Sequence, residues 1–225
     1  MRAFALGIAL ALANGSNVSA ATFTTFTDRI GFDAAAGLLT IEDFNSVAGQ
    51  LSFAGVTLTV GDLTLETTGT PQTVLRNFID QPPLEFSSEF NIDDTALANV
   101  LLRFDDVNDD DDIFTINFAT PVTAFGADFG GINNVILRTA ITILGEQIAM
   151  PINPLSSPTF FGLLSDTAFS SLSFIQVGSD PDGFSIDNVT FSAVPLPAAL
   201  PLFGSGLAVM GFLGWRSKRK SASAA

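Results

Sequence analysis

Residues 113–129 read "IFTINFATPVTAFGADF", and the rhythm of this stretch decides the fold. In Ile113–Phe118 the large apolar residues Phe114, Ile116 and Phe118 alternate with Thr115 and Asn117. In Val122–Phe129 large apolar residues are again interleaved with small or polar ones. Successive side chains of an extended chain point to opposite faces, so a period of two predicts a half-buried antiparallel strand. Proline cannot donate a ladder hydrogen bond, and Pro121 therefore parts the stretch into two predicted strands.

The same period recurs on both sides. "LLTIEDF" (38–44), "VTLTV" (56–60), "LTLET" (63–67), "ILRTAITIL" (136–144) and "LSFIQV" (172–177) all carry it, between turns rich in Gly, Pro, Asn and Asp. Eight to ten strands in one domain predict an all-β fold, an antiparallel β-sandwich of jelly-roll type. The phenylalanines, among them Phe104, Phe114, Phe118, Phe125, Phe129, Phe160, Phe161, Phe174, Phe184 and Phe191, are the predicted interior. No internal repeat is present.

Two segments depart from simple alternation. In "GFSIDNVTF" (183–191), Phe184 and Ile186 share one parity and Val189 and Phe191 the other. One strand buries all four only with an extra residue near Asp187-Asn188, a β-bulge that re-aims the Asp187 side chain. Ahead of the strands, "TDRIGFDAAAG" (27–37) predicts a short helix. Thr27 is its expected cap, Ile30 and Ala34 its expected shared face, and Gly37 its stop.

Charge is distributed unevenly. All 23 acidic residues lie between Asp28 and Asp187, where only Arg29, Arg76, Arg103 and Arg138 oppose them. Four arginines against 23 acids leave the body at −19, with no lysine. Such a surface repels phosphate backbones and excludes nucleic acid as a partner. The chain has no histidine and no cysteine. This excludes Ser-His-Asp and Cys-His nucleophiles, ordinary zinc sites and a disulfide scaffold. No phosphate-binding Gly-x-x-x-x-Gly-Lys loop exists. A carboxylate-pair glycosidase remains formally open, but the body has neither Trp nor Tyr to floor a sugar site.

The ends carry addresses. Arg2, the short apolar run Ala3–Ala13 and the small residues Val18-Ser19-Ala20 have the layout of a secretory signal peptide, residues 1–20, cleaved after Ala20. Residues 21–193 form the ectodomain. At the other end, residues 198–215 contain no charge and only one polar residue, Ser205. As a helix they span roughly 27 Å, close to the hydrocarbon thickness of a bilayer. Arg216, Lys218, Arg219 and Lys220 follow as a basic stop, which the positive-inside bias keeps cytoplasmic. The acidic body is then exported, and 221–225 is a disordered tail.

Pro195-Leu196-Pro197, the apolar helix and the basic cluster at 216–220 together resemble the PEP-CTERM sorting signal of Gram-negative bacteria. "VPLPA" stands where that family usually has Pro-Glu-Pro. The resemblance covers 194–220 and implies an exosortase as processing partner, cutting near the proline pair. It also implies release or attachment of the body at the cell surface, in a setting of exopolysaccharide. An uncleaved single-span anchor is the plainer alternative.

The body resembles the ectodomains found ahead of this tail, through "FTDRIGFDAAAG…TIEDF", "PVTAFGADFGG" and "DGFSIDNVTF". That group implies a lectin-like sandwich with no set activity. By analogy with carbohydrate modules, a structural calcium is expected between Glu42 or Asp43 and Asp187. A second calcium candidate is the acid run "DDVNDDDD" (105–112). There Asp106, Asn108 and Asp110 match the opening of an EF-hand loop, but Asp111 stands where glycine is needed and Asn117 where bidentate glutamate is needed. A solvated loop is the alternative for that run. The function expected is a non-enzymatic, surface-sorted envelope or matrix protein, with calcium-dependent exopolysaccharide binding as the alternative.

Overall fold

A computed structural model describes residues 20–68, 77–80, 90–102, 113–133, 136–152, 157–177 and 182–193. The signal stretch 1–19, the acid run with Asp106, Asn108 and Asp110, and the sorting stretch from residue 194 onward lie outside them.

The described chain is built of antiparallel strands and one short helix. In order these are β1 (Phe23–Phe26), α1 (Arg29–Ala36), β2 (Thr40–Glu42), β3 (Leu51–Ser52), β4 (Leu58–Val60) and β5 (Leu63–Thr68). Then follow β6 (Phe78–Asp80), β7 (Leu97–Leu102), β8 (Ile113–Gly130), β9 (Thr139–Ile143), β10 (Glu146–Ala149), β11 (Thr159–Gln176) and β12 (Asp182–Ala193). Neighbours run β10-β9-β11-β8-β12-β7-β6-β3, with β1 on β11, β2 on β12, β5 on β8 and β4 on β5. Strand content exceeds the expected eight to ten because short pieces such as β3 and β6 carry too few residues to show a period.

Pro121 does not separate two strands. β8 runs through it, and the exposed bend Ala119-Thr120-Pro121 takes the place of a turn. The partner strand β11 bends alongside, exposing Asp166-Thr167-Ala168. Register is kept across the bend: Leu164 pairs with Ala124 and Ser171 with Asn117, the same number of residues apart on both strands. Only Phe169 and Val122 are paired in between. Both strands also change which parity faces the core. Phe114, Ile116 and Phe118 give way to Phe125, Ala127 and Phe129 on β8, and Phe161 and Leu163 to Leu172 and Phe174 on β11. The ladder slips at Phe169 and Val122 and regains its register by Ser171 and Asn117, because each strand turns over together with its partner.

The core is aromatic. Phe174 stacks on Phe114 at 5.5 Å between ring centroids and contacts Phe125, Phe129 and Phe184 at 5.4–6.3 Å. Phe118 meets Phe191 at 5.4 Å. These rings come from both halves of β8, from β11 and from β12, so one interior closes around the bend. Expectation and structure agree for Phe114, Phe118, Phe125, Phe129, Phe160, Phe161, Phe174, Phe184 and Phe191, while Phe104 lies outside the described residues.

The helix forms where expected, with two corrections. Its cap is Asp28, not Thr27: the Asp28 carboxylate accepts the Gly31 N–H at 2.7 Å. Its packed face is Phe32 with Ala36, not Ile30 with Ala34; Ile30 is 84% exposed. Helical period alone offers either stripe, and the larger ring takes the interior. Phe32 lies on Gly126 of β8 and Gly162 of β11, which are paired with each other. A Cβ at Gly162 would stand 2.6 Å from the Phe32 ring, so glycine there is what lets the helix dock.

The bulge in β12 is present. From Asp187 to Thr190 the strand takes three steps while β8 takes two, from Asp128 to Gly126. Asn188 absorbs the extra residue with φ +49°, a conformation that asparagine tolerates. Phe184, Ile186, Val189 and Phe191 are all buried, as the parity change required. Among the described residues no helix is long and apolar enough to cross a membrane.

Candidate functional site at the bulge of the last strand

One edge of β12 changes partner at the bulge. Asp182–Ile186 pair with β7, and Val189–Phe191 pair with β2. The loop leaving β2 and the loop entering β7 therefore meet beside Asp187-Asn188. A hydrogen bond of 3.1 Å from the Ala96 N–H to Asn45 Oδ1 stitches them together. On the other edge Asp187 is paired with Asp128 of β8.

Because Phe184 and Ile186 face the core, Asp187 points to the opposite side of the sheet. It is nonetheless fully buried, at 0% exposure. Its Oδ1 accepts the Asn188 N–H at 2.6 Å, and its Oδ2 accepts the Thr95 hydroxyl at 3.3 Å. Burial pushes its pKa up to about 8, and the nearby charges of Asp93 and Asp128 push the same way; the Asn188 N–H and the Thr95 hydroxyl oppose them. At neutral pH the carboxyl therefore keeps its proton in the folded protein.

Asp128 is treated differently. Arg29, reaching from α1, donates to its Oδ2 at 2.7 Å. The same guanidinium donates to Thr190 Oγ1 at 2.9 Å and to the Asn188 carbonyl at 3.3 Å, and it lies 4.7 Å from the centre of the Phe160 ring. The Asn188 amide donates to Asp128 at 3.1 Å and to Asp93 Oδ2 at 3.4 Å. Asp93 also accepts the Thr95 N–H at 3.1 Å. One planar cation thus ties the helix to β8 and β12, and one amide ties the bulge to β8 and to the loop ahead of β7. The chemistry supported by these contacts is a clamp on four chain segments: α1, β8, β12 and the loop ahead of β7.

The expected calcium ligands are divided. Glu42 is directly across from Val189, and its Oε1 accepts the Phe44 N–H at 2.9 Å. Burial raises its pKa, with the charges of Asp43 and Asp62 adding to the rise. Asp43 accepts the Asn45 N–H at 3.1 Å. Glu42 and Asp43 thus sit with Asp62, while Asp187 sits with Asp93 and Asp128. Among the described residues no three carboxylates are arranged to hold a metal ion. As placed, these side chains do not form a calcium cage. Asp106, Asn108 and Asp110 lie outside the described residues, as do Pro195, Leu196, Pro197, Arg216, Lys218, Arg219 and Lys220.

Sequence reasoning found Asp187 through the parity change but missed Arg29, Asp93, Thr95 and Asp128. Asp128 had a local signal: an acid inside "FGADFG", between two buried phenylalanines, needs a partner. Arg29 had a weaker one, as one of only four cations in the body. The chain matches no known family model, and no curated protein matches it.

Proposed function

We propose that the chain is an exported, surface-sorted and non-enzymatic protein of the bacterial envelope or extracellular matrix, with a tail processed by an exosortase. The observation that carries this reading is the position of the last strand. β12 continues to Ala193, so Pro195 follows two residues after the last described strand. Body and sorting stretch adjoin, with no intervening length for another domain. The body itself we take to be a two-layered, lectin-like sandwich. The matched bends of β8 and β11, and the rings that meet from both halves, support this finer architecture. Mass spectrometry of the C-terminus of protein recovered from cells tests the function. A terminus near Pro197 is the expected result. An intact basic tail would overturn exosortase processing and leave a membrane-anchored protein.

A second reading, a calcium-dependent module for exopolysaccharide, draws on the neighbouring carboxyl groups of buried Asp187, partly exposed Asp128 and exposed Asp93. It requires calcium to draw together carboxylates that now stand apart. Calcium should then raise the melting temperature and induce retention on the cell's own polysaccharide. Melting curves that coincide in calcium and in chelator would end it.

A further inference from the structure

The end of the body from which the tail leaves carries an apolar corner. Leu38 is 94% exposed, and Ile41, three residues on in β2, is 59% exposed. Leu38 precedes Thr40 by two residues, and Thr40 pairs with Phe191 in an antiparallel ladder. Leu38 lies just outside that ladder, in the bend leading into the end of β2 that is nearest Ala193, where β12 ends. Four residues, Val194-Pro195-Leu196-Pro197, separate Ala193 from the uncharged run that begins at Ala198. At roughly 3.5 Å per residue, even a fully extended link keeps Ala193 within about 17 Å of that run.

We infer that, before the tail is cut, the corner around Leu38 dips into the headgroup region of the bilayer that residues 198–215 span. This rests on the membrane-segment reading of those residues. The short link holds the corner at the bilayer surface permanently, so the lipid interface competes for it at a high effective concentration. A second copy of the chain must instead arrive by diffusion. Charge sets the lipid preference. A body at −19 is repelled by anionic headgroups, so the corner must enter through apolar contact, and neutral lipid favours it.

The absence of cysteine allows a clean test on the full chain. Single-cysteine variants Leu38→Cys, Leu144→Cys and Leu207→Cys are spin-labelled and reconstituted in phosphatidylcholine vesicles. Accessibility to oxygen is compared with accessibility to a water-soluble nickel chelate. Leu144 is on the β9–β10 hairpin, at one end of the strand order, and serves as the aqueous reference. The expected result is an oxygen-to-nickel ratio at position 38 several-fold above that at 144, with position 207 higher still. An aqueous ratio at 38 with 207 deep in lipid would overturn this inference alone. An aqueous ratio at 207 would overturn it together with the membrane reading. A label at 38 shielded from both quenchers would mean that protein covers the corner, which also overturns it.

Discussion

The two halves of β8 solve different problems with one strand. In Ile113–Phe118 one face is buried and the other only partly covered, where Thr115 meets Ser173 and Asn117 meets Glu66. In Val122–Gly130 both faces are covered, the core on one side and α1 on the other. The first half therefore keeps polar residues on its outer face. The second half keeps Ala124, Gly126 and Asp128 there, because the Phe32 ring and the Arg29 guanidinium need room. A polar outer face marks solvent, and a face of small residues interrupted by one acid marks a docked element.

The comparison breaks most strongly at the shared interior. Phe174→Ala removes a ring that touches both halves, and urea unfolding should show a loss of about 3–5 kcal/mol. Next is pH. In the folded state the pKa of Asp187 lies near 8, above its ordinary value of 3.8. Between those values the folded protein holds a proton that the unfolded chain releases. Its contribution is thus complete below the unfolded pKa and is lost as pH rises through the folded one. Stability should fall by up to about 1.4 kcal/mol per pH unit over this window. Asp187→Asn, neutral throughout, should flatten the slope in melts from pH 5 to pH 8; an unchanged slope would assign the titration to another group.

Smaller effects sharpen the contrast between the outer faces. Gly162→Val drives a side chain into Phe32 and should cost about 1–3 kcal/mol, with the helical circular-dichroism signal weakened. Arg29→Gln leaves Asp128 without its cation and should cost about 1 kcal/mol, less in high salt, since both side chains keep some exposure. Thr115→Val, on the outer face of the first half, should stay within about 0.5 kcal/mol. A Thr115→Val loss as large as that of Gly162→Val would erase the distinction between the two halves.

How much was legible follows the same division. Ile113–Phe118 could be read outright, because one wet face and one dry face write a strict alternation. The bulge was legible for a related reason: four buried residues of mixed parity leave a single geometric solution. The helix was only half legible. Its presence and its stop at Gly37 could be read from residues 27–37, but its cap was misplaced by one residue, and its packed stripe depended on Gly126 and Gly162, which lie far along the chain. The clamp was hardest to foresee. It joins Arg29, Asp93, Asp128 and Asn188 from separate segments, and no local pattern encodes a meeting set by sheet register. The continuity of β8 through Pro121 was hidden for a similar reason, since a proline at an exposed bend looks the same in sequence as one that ends a strand.

The matched ladders on β12 have a mechanical corollary. This strand has neighbours along both edges, β8 on one side and β7 followed by β2 on the other. Residues 194–225 follow its last residue in sequence. Tension applied through those residues would pull lengthwise on an interior strand, and the rungs on both sides would resist in shear, many at once. A tail fastened to an edge strand such as β10 would instead load its single ladder. With no cysteine to cross-link it, the body would meet such a load where its hydrogen bonds share the strain.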